Sequence, residues 1–243
     1  MAGRAMKKEL LHEWDVDYRT AVRIQEELRG KVSLEGEPRR VELIAGADIS
    51  YNRGEDLFHA AVVLLRFPSM EPVEESRVSG RAGFPYIPGL LSFREGPVLL
   101  RAFECLTVRP DLALFDGQGT AHPRGLGLAS HLGLLLDLPS IGCAKKRLFG
   151  QHGEVGENAG DFAPLVHQGK IIGTVLRTKR KVKPVYVSPG HRISHRRAIE
   201  IVLACCRGYR IAEPIRQAHL LVNRMRVENK VRSPGSGARF RKL

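Results

Sequence analysis

The sequence lacks the long apolar runs and paired cysteines of a membrane protein or a disulfide-rich secreted fold. No stretch approaches the roughly 20 apolar residues that a membrane helix needs, and Met1–Lys8 is polar and basic with no apolar core of signal-peptide length after it. The four cysteines form no C-x-x-C pair, which argues against a zinc ribbon or a disulfide framework. We therefore expect a cytoplasmic protein with reduced, mostly buried thiols and no membrane contact.

Acidic residues are also scarce relative to basic ones. The 39 Lys and Arg outnumber the 26 Asp and Glu, giving a formal net charge of +13 and a pI of about 10. This excess favours a polyanionic partner, most often nucleic acid, although a solvated basic surface without a partner has the same composition. Residues 177–210 hold ten Lys and Arg against one acid, Glu200. Because ordinary surfaces mix charge signs, this skew predicts a phosphate-binding surface.

Hydrophobic patterning predicts a first helix over Glu9–Leu28, which Gly30 ends. Three apolar or alternating stretches follow and read as strands: Val41–Ser50, His59–Phe67 and Val73–Gly80. Short turns separate them, so we expect an antiparallel meander.

The rest of the chain alternates between helical and strand patterns. The predicted elements are a helix over Pro97–Val108, a strand over Asp111–Asp116, a helix over Gly125–Leu136, a strand over Ser140–Ala144, a hairpin formed by Lys170–Thr178 and Lys183–Ser188, and helices over Ser194–Cys206 and Glu213–Val227. Alternating strands and helices imply parallel pairing. We expect one α/β domain over residues 1–227, with a mixed sheet of three antiparallel strands and then parallel strands, flanked by helices. Residues 228–243 are predicted to form a basic, disordered tail.

A short apolar segment, Phe84–Glu95, interrupts this pattern. Pro85 and Pro88 flank Tyr86 and Ile87, so the backbone is stiff and lacks two N–H donors. The segment reads as a rigid loop with an aromatic tip that leads into a helix. Two interpretations remain open: a loop folded back on the core, or an apolar wedge presented to a partner.

Two aspartates, Asp48 and Asp116, end apolar strands, and Glu95 lies at the predicted amino end of a helix. If the two strands are parallel neighbours, their carboxyl ends form one edge of the sheet, where sites are common. Clustered carboxylates repel one another, and Mg²⁺ relieves that repulsion and can activate water for phosphodiester hydrolysis. The alternative is three separate structural acids that form turns or offset a helix dipole.

Three basic or titratable residues are further candidates. His219 lies on the inward flank of the last helix and could order water beside a metal, or it could be a hydrogen-bonded core histidine. His122 lies on a loop, where a phosphate or water contact and a simple turn are equally plausible. Lys145 follows a strand at its carboxyl end, a position suited to phosphate.

Six motifs resemble, in order and spacing, those of the endonuclease V family of deoxyinosine 3′-endonucleases. They are Ala45-Gly46-Ala47-Asp48-Ile49-Ser50, the segment Phe84–Glu95, Asp116-Gly117-Gln118-Gly119 with His122-Pro123-Arg124, Ile141-Gly142-Cys143-Ala144-Lys145, Tyr186-Val187-Ser188-Pro189-Gly190-His191, and Arg216-Gln217-Ala218-His219. The resemblance spans about Leu10 to Arg226.

The resemblance implies an RNase H-like fold and a DNA repair enzyme. Its expected reaction is Mg²⁺-dependent hydrolysis of the second phosphodiester bond 3′ to a deaminated base, chiefly hypoxanthine, leaving a 5′-phosphate and a 3′-hydroxyl. Mn²⁺ is an expected substitute for Mg²⁺. The expected partner is single- or double-stranded DNA with deaminated bases, acted on by a monomer.

The resemblance also assigns roles to individual residues. The metal-binding acids of the family correspond to Asp48, Asp116 and Glu95, and its helix histidine corresponds to His219. The DNA wedge corresponds to Pro85, Tyr86 and Ile87, the lesion pocket to backbone near Gly89, Leu91, Gly117 and Gly119, and the phosphate-side positions to His122 and Lys145. Two other hypotheses remain: an RNase H-like nuclease acting on inosine-containing RNA or DNA junctions, and a noncatalytic nucleic-acid-binding protein.

Overall fold

The computed structural model describes residues 11–36, 38–52 and 54–232. Its helices are α1 (Tyr18–Arg29), α2 (Leu91–Glu104), α3 (Leu128–Leu135), α4 (His195–Ala204) and α5 (Glu213–Arg232). Its strands are β1 (Leu43–Tyr51), β2 (Leu57–Arg66), β3 (Pro72–Arg81), β4 (Leu112–Phe115), β5 (Ser140–Ala144), β6 (Phe162–His167), β7 (Lys170–Leu176) and β8 (Val185–His191).

All these strands belong to one eight-stranded mixed sheet, in the order β3-β2-β1-β4-β5-β8-β7-β6. The meander β1–β3 is antiparallel, and β4 and β5 continue from β1 in parallel. These features confirm the predicted α/β fold class. Beyond β5 the pairing returns to antiparallel through β8, β7 and β6, so the parallel region is limited to three adjacent strands.

Helices cover both faces of the sheet because the central strands are apolar on both sides. One core cluster joins α4 and α5 to the sheet, with Ile201, Ile215 and Val222 buried against strand residues such as Leu114. The other joins α2 and α3 to the opposite face around Phe103 and Phe115. Among the described residues, no helix is both long and apolar enough to cross a membrane.

Several predicted boundaries differ from the structure. Helix α1 begins at Tyr18, where Asp17 accepts a hydrogen bond from the Thr20 amide at 2.7 Å; the preceding residues Leu11 and Trp14 pack against the core without forming a helix. Strand β6 was not predicted, because its apolar pattern is interrupted by a proline. That proline is tolerated because β6 is an edge strand of the sheet.

Helix α2 begins at Leu91, well before Pro97, so the prediction that Pro97 opens it was wrong. Leu91 and Phe93 lie in its first turn, and burial of Phe93 offsets the backbone hydrogen bond that Pro97 cannot make. Glu95 is therefore inside the helix. Helix α5 likewise continues to Arg232, past the predicted start of a tail at residue 228; the remainder of that predicted tail, residues 233–243, lies outside the described residues.

Candidate metal centre and base cleft

Asp48 and Asp116 are adjacent because β1 and β4 are parallel neighbours. Ala47 pairs with Phe115, and the Asp116 amide donates to the Ala47 carbonyl at 3.3 Å. Asp48 lies within β1 and Asp116 directly follows β4, so both side chains occupy one edge of the parallel region. This is the juxtaposition expected from the sequence.

His219 completes a group that could hold a cation. One ligand atom each from Asp48, Asp116 and His219 lie within 4.8 Å of one another. His219 donates from Nδ1 to Asp48 Oδ2 at 2.7 Å, and its Nε2 accepts from Asn223 Nδ2 at 3.1 Å. The histidine thus contacts the acids from α5, as the sequence suggested, and is not a core histidine with a separate partner.

Glu95 is not one of these three residues, but the charges of Asp48 and Asp116 both act on it. It is 6% exposed, and burial, reinforced by the charges of Asp48 and Asp116, raises its pKa to about 8. Burial and the Asp48 charge also raise the pKa of Asp116, against the opposing effect of Lys145. Lys145 forms an ion pair with Asp116 Oδ2, which ties this predicted phosphate-side residue to the acids.

These acids fit a hard cation. Desolvation and repulsion by neighbouring carboxylates both disfavour the charged forms of Glu95 and Asp116, and a cation bound by carboxylate oxygens relieves both costs. The oxygen-rich donor set is of the kind that Mg²⁺ and Mn²⁺ prefer. Residues that could hold such an ion are Asp48 and Asp116, with His219 and Glu95 beside them.

A cleft of about 500 Å³ has six of its thirteen lining residues in the segment Phe84–Glu95, which also carries Glu95, and one more, Gln118, two residues after Asp116. Its lining residues are Gln25, Tyr86, Ile87, Pro88, Gly89, Leu91, Ser92, Gln118, His122, Leu126, Gly127, Leu128 and Leu148. Tyr86 is 63% exposed and Pro85 is also exposed, whereas Phe84 and Leu90 are buried. The segment is therefore neither wholly folded back nor wholly presented: its ends anchor in the core and its tip is open to solvent.

Gly89 fixes the position of that tip. It has a φ of +80°, which favours glycine. Its carbonyl accepts hydrogen bonds from Gln25 Nε2 at 3.0 Å, His122 Nε2 at 3.0 Å and Arg124 Nη2 at 2.7 Å. Three donors from two other segments of the chain thus hold one loop carbonyl, so the cleft wall is preorganised.

Some predicted site residues have a different environment from the one expected. His122 is buried beneath Gly89, and burial, followed by the Arg124 charge, lowers its pKa to about 4. It is therefore neutral near pH 7 and supports the cleft, which does not favour the predicted phosphate contact. The cleft is lined by Gln118 and not by its neighbours Gly117 and Gly119; Gly119 is buried, with its amide donating to Ser188 Oγ at 2.8 Å.

The basic residues of 177–210 are of two kinds, some partly buried and some exposed. Arg177 and Arg210 point inward and donate to backbone carbonyls such as Val155 and Lys145. The exposed cations are concentrated between β7 and β8: Lys179, Arg180, Lys181 and Lys183. Sequence composition alone could not separate these structural arginines from the exposed lysines.

Gln25, Ser92 and Gln118 line the cleft but were not predicted as site residues. Gln118 and Ser92 could have been noticed because they lie inside the Asp116–Gly119 and Phe84–Glu95 motifs. Gln25 carries no local signal, since it belongs to α1 and reaches the cleft only through tertiary packing.

A mixed sheet with neighbouring acids on two adjacent parallel strands, one within β1 and one directly after β4, beside a helix that carries a histidine, defines a nuclease of the RNase H-like class. Comparison with known proteins identifies the family within this class. The family model for Endonuclease V matches residues 26–220. The chain belongs to the endonuclease V family and is an endonuclease.

Individual relatives are similar to this chain over most of its length. An Endonuclease V from Dehalococcoides mccartyi is 51% identical over 215 residues, covering 88% of this chain and 96% of the relative. The Endonuclease V structure from Streptomyces avermitilis superposes with a TM-score of 0.84 at 39% identity, covering 93% of this chain and all of the other. The Ciona intestinalis Endonuclease V, solved with a DNA containing an inosine followed by a ribo-adenosine, gives a TM-score of 0.76 at 27% identity, covering 88% and 100% of the two chains.

Proposed function

We propose that this chain is a DNA repair endonuclease that recognises deaminated bases, chiefly deoxyinosine. It hydrolyses the second phosphodiester bond 3′ to the lesion in a Mg²⁺-dependent reaction, leaving a 5′-phosphate and a 3′-hydroxyl. The observation that carries the proposal is that the segment Phe84–Glu95 contains an exposed tyrosine, part of the wall of a cleft of about 500 Å³ and a buried acid, Glu95. The same segment would therefore take part both in detecting a base and in cleaving its strand.

The cleft suits a single base removed from the stack. A base inside a duplex cannot enter a pocket, so the lesion must be extruded at a cost of a few kcal/mol. A weakly paired hypoxanthine lowers that cost. The mostly apolar lining, with few polar groups, matches the usual design of pockets that bind planar ligands.

We assign the wedge role to Tyr86. This residue is 63% exposed and lines the cleft between Pro85 and Pro88. Inserted aromatic or apolar side chains unstack neighbouring bases, and a wedge whose backbone is already rigid loses little entropy when it inserts. Ile87, half-buried beneath it, anchors the tip.

The acids supply the hydrolytic site. Asp48 and Asp116 would hold the ion, with Glu95 as the third acid, and Mn²⁺ is an expected substitute for Mg²⁺. When bound, such an ion stabilises the developing charge on the leaving oxygen and lowers the pKa of water. We assign to His219 the orientation of the attacking water: Nδ1 stays bound to Asp48, and Nε2 would exchange its hydrogen bond from Asn223 for one from that water. Lys145 balances the charge of Asp116 and lies where it can meet phosphate.

The proposed partner is DNA containing deaminated bases, single- or double-stranded, bound by a monomer in the cytoplasm. The net charge of +13 and the exposed lysines between β7 and β8 support a polyanionic partner. The inosine-containing DNA held by the Ciona relative supports this substrate class.

Inosine-containing RNA is a second candidate substrate. The nucleic acid in the Ciona complex carries a ribo-adenosine directly after its inosine, so that relative accommodates a 2′-hydroxyl beside the lesion. If this chain does the same, its cleft and acids could serve RNA as well.

Product mapping tests the proposal. End-labelled strands of one sequence, with inosine, adenine, uracil or an abasic site at one position, are incubated with the protein and Mg²⁺ as DNA duplexes, DNA single strands and RNA. We expect a single nick at the second bond 3′ to inosine and none in the adenine strand. Equal cleavage of the adenine strand, or a product independent of the divalent cation, would contradict the proposal.

A further inference from the structure

Two side chains that line the cleft each have an oxygen able to accept a hydrogen bond: Gln118 through Oε1 and Ser92 through Oγ. We propose that they form an acceptor pair that selects an extruded base carrying a ring N–H, as hypoxanthine does at N1 and adenine does not. The inference rests on the proposed function and deepens it, because it assigns the distinction between the lesion and its parent base to two side chains.

The orientation of Gln118 is fixed by one hydrogen bond. Its side chain is 8% exposed, and Nε2 donates to the Lys146 carbonyl at 3.0 Å. A carbonyl oxygen only accepts, so the amide nitrogen must face Lys146 and the amide oxygen must face away from it. Oε1 is buried and accepts no hydrogen bond from any described residue. A buried acceptor without a partner is costly, and a donor on a bound base would remove that cost.

Ser92 becomes an acceptor through a chain of two histidines that starts at the surface. His12 Nδ1 lies 2.6 Å from the Glu13 carbonyl oxygen and must donate to it. Burial lowers the pKa of His12, so its imidazole is neutral near pH 7, and with the proton on Nδ1 it has a lone pair on Nε2. His12 Nε2 therefore accepts, and its partner in that bond must be a donor.

That donor is His131, whose Nε2 lies 2.7 Å from His12 Nε2. His131 is fully buried, and burial lowers its pKa well below 6.5, so it carries one proton only. With that proton on Nε2, its Nδ1 must accept from the Ser92 hydroxyl at 2.9 Å. The Ser92 hydrogen is thus committed to His131.

The lone pairs of Ser92 Oγ remain. Ser92 lines the cleft from the first turn of α2, and its hydroxyl makes no other hydrogen bond to a described residue. The oxygen can therefore accept from a ligand but cannot donate to one. Trp14 packs against both histidine rings, with ring centroids at 4.6 Å and 5.3 Å, and holds the chain in place.

Two acceptors that both meet N1 favour hypoxanthine over adenine, because they can share the single N1–H in a three-centre hydrogen bond. Deamination converts the N1 lone pair of adenine into the N1–H of hypoxanthine, and enzymes that extrude a base commonly read this Watson–Crick edge. The N1–H of hypoxanthine donates to a buried acceptor oxygen. The N1 lone pair of adenine repels that oxygen and leaves it without a hydrogen bond. Sites built this way reject the analogue that lacks the donor.

The test compares two bases in one duplex sequence: hypoxanthine, and unsubstituted purine, which has a lone pair at N1. The specificity constant kcat/KM for each base is measured with the wild type, Gln118→Met, Ser92→Ala and Ser92→Thr. Ser130→Ala is the matched control, because Ser130 is equally buried, makes no side-chain hydrogen bond to a described residue and does not line the cleft. The ratio of the two substrates cancels losses that affect both equally, including loss of the Lys146 contact.

We expect Gln118→Met and Ser92→Ala each to reduce the hypoxanthine-to-purine ratio about tenfold, with Ser92→Thr restoring it and Ser130→Ala leaving it unchanged. Ratios equal to the wild type in both variants would overturn the inference, as would equal slowing of both substrates. If the wild type fails to nick hypoxanthine DNA, the proposed function and this inference fall together. Normal wild-type nicking with unchanged ratios contradicts the inference alone.

Discussion

His219 and Asp48 are joined by a hydrogen bond of 2.7 Å from Nδ1 to Oδ2, which connects helix α5 to the first strand of the sheet. Asn223, one turn further along α5, donates to the other ring nitrogen of His219 at 3.1 Å. The carboxylate and the amide together fix both the orientation and the tautomer of the imidazole. The histidine is thus preorganised beside the acids.

Loss of the His219 imidazole or of the Asn223 amide that holds it should slow cleavage without weakening DNA binding. We expect His219→Ala to lower kcat about 100-fold and Asn223→Ala about tenfold, with KM nearly unchanged in both. Asn229→Ala, further along the same helix, is the control and should retain wild-type kcat. A rise in KM with unchanged kcat would instead indicate that His219 serves in binding.

Removal of the Tyr86 ring should affect duplex DNA more than single strands. Tyr86→Ala leaves the acids intact but removes the group that fills the gap left by an extruded base, so we expect about a tenfold or greater loss of nicking in inosine duplexes. The loss in single strands should be smaller, because they need no unstacking of a paired partner. Tyr18→Ala is the control, since Tyr18 is similarly exposed, at 54% against 63%. Equal losses on both substrates would argue against a wedge.

Alanine substitutions at Gly89 and at Gly54 distinguish the effect of backbone strain from the effect of a changed cleft. Both have positive φ, +80° and +87°, so an alanine at either position should cost about 1–2 kcal/mol of stability. Only at Gly89 would the added Cβ meet a neighbour, Arg124 Nη2 at 2.9 Å. We therefore expect Gly89→Ala to lose both thermal stability and inosine cleavage, and Gly54→Ala to lose stability alone. Full activity of Gly89→Ala would show that the loop position is not critical.

The raised pKa of Glu95 predicts a pH dependence in metal-free protein. Its pKa is about 8 in the fold against roughly 4.3 in an unfolded chain, so the folded state binds the extra proton between these values. The contribution of Glu95 to stability is therefore fully present below about pH 4 and is lost as pH rises through 8. In EDTA, the wild-type Tm should fall over this range more than that of Glu95→Gln. Parallel Tm curves for the two proteins would contradict the assignment.

Seven of the eight described strands and the acids could be predicted because their signals are local. Asp48 and Asp116 each end an apolar run, and parallel neighbours bring such ends together. The start of α2 could not be predicted, because Pro97 mimics a helix start while burial of Phe93 extends the helix towards Leu91. Tertiary packing decided that boundary, and with it the position of Glu95.

The cleft itself was only partly visible in the sequence. Gly89 and Leu91 were predicted and line it, but Gln25, Ser92 and Gln118 line it too. The contribution of Gln25 depends on a hydrogen bond between residues far apart in the chain, from its Nε2 to the Gly89 carbonyl. No pattern of neighbouring residues encodes such a contact.

The most direct test of the account is strand cleavage of an inosine-containing duplex by Asp116→Asn in Mg²⁺, with binding measured in parallel. The substitution removes a carboxylate that would hold the ion but leaves the cleft and Tyr86 untouched. We predict that nicking is abolished while binding of the inosine duplex is retained, and that Asp15→Asn, an exposed aspartate outside the site, behaves as the wild type. Undiminished nicking by Asp116→Asn would contradict the metal centre on which the proposed function depends.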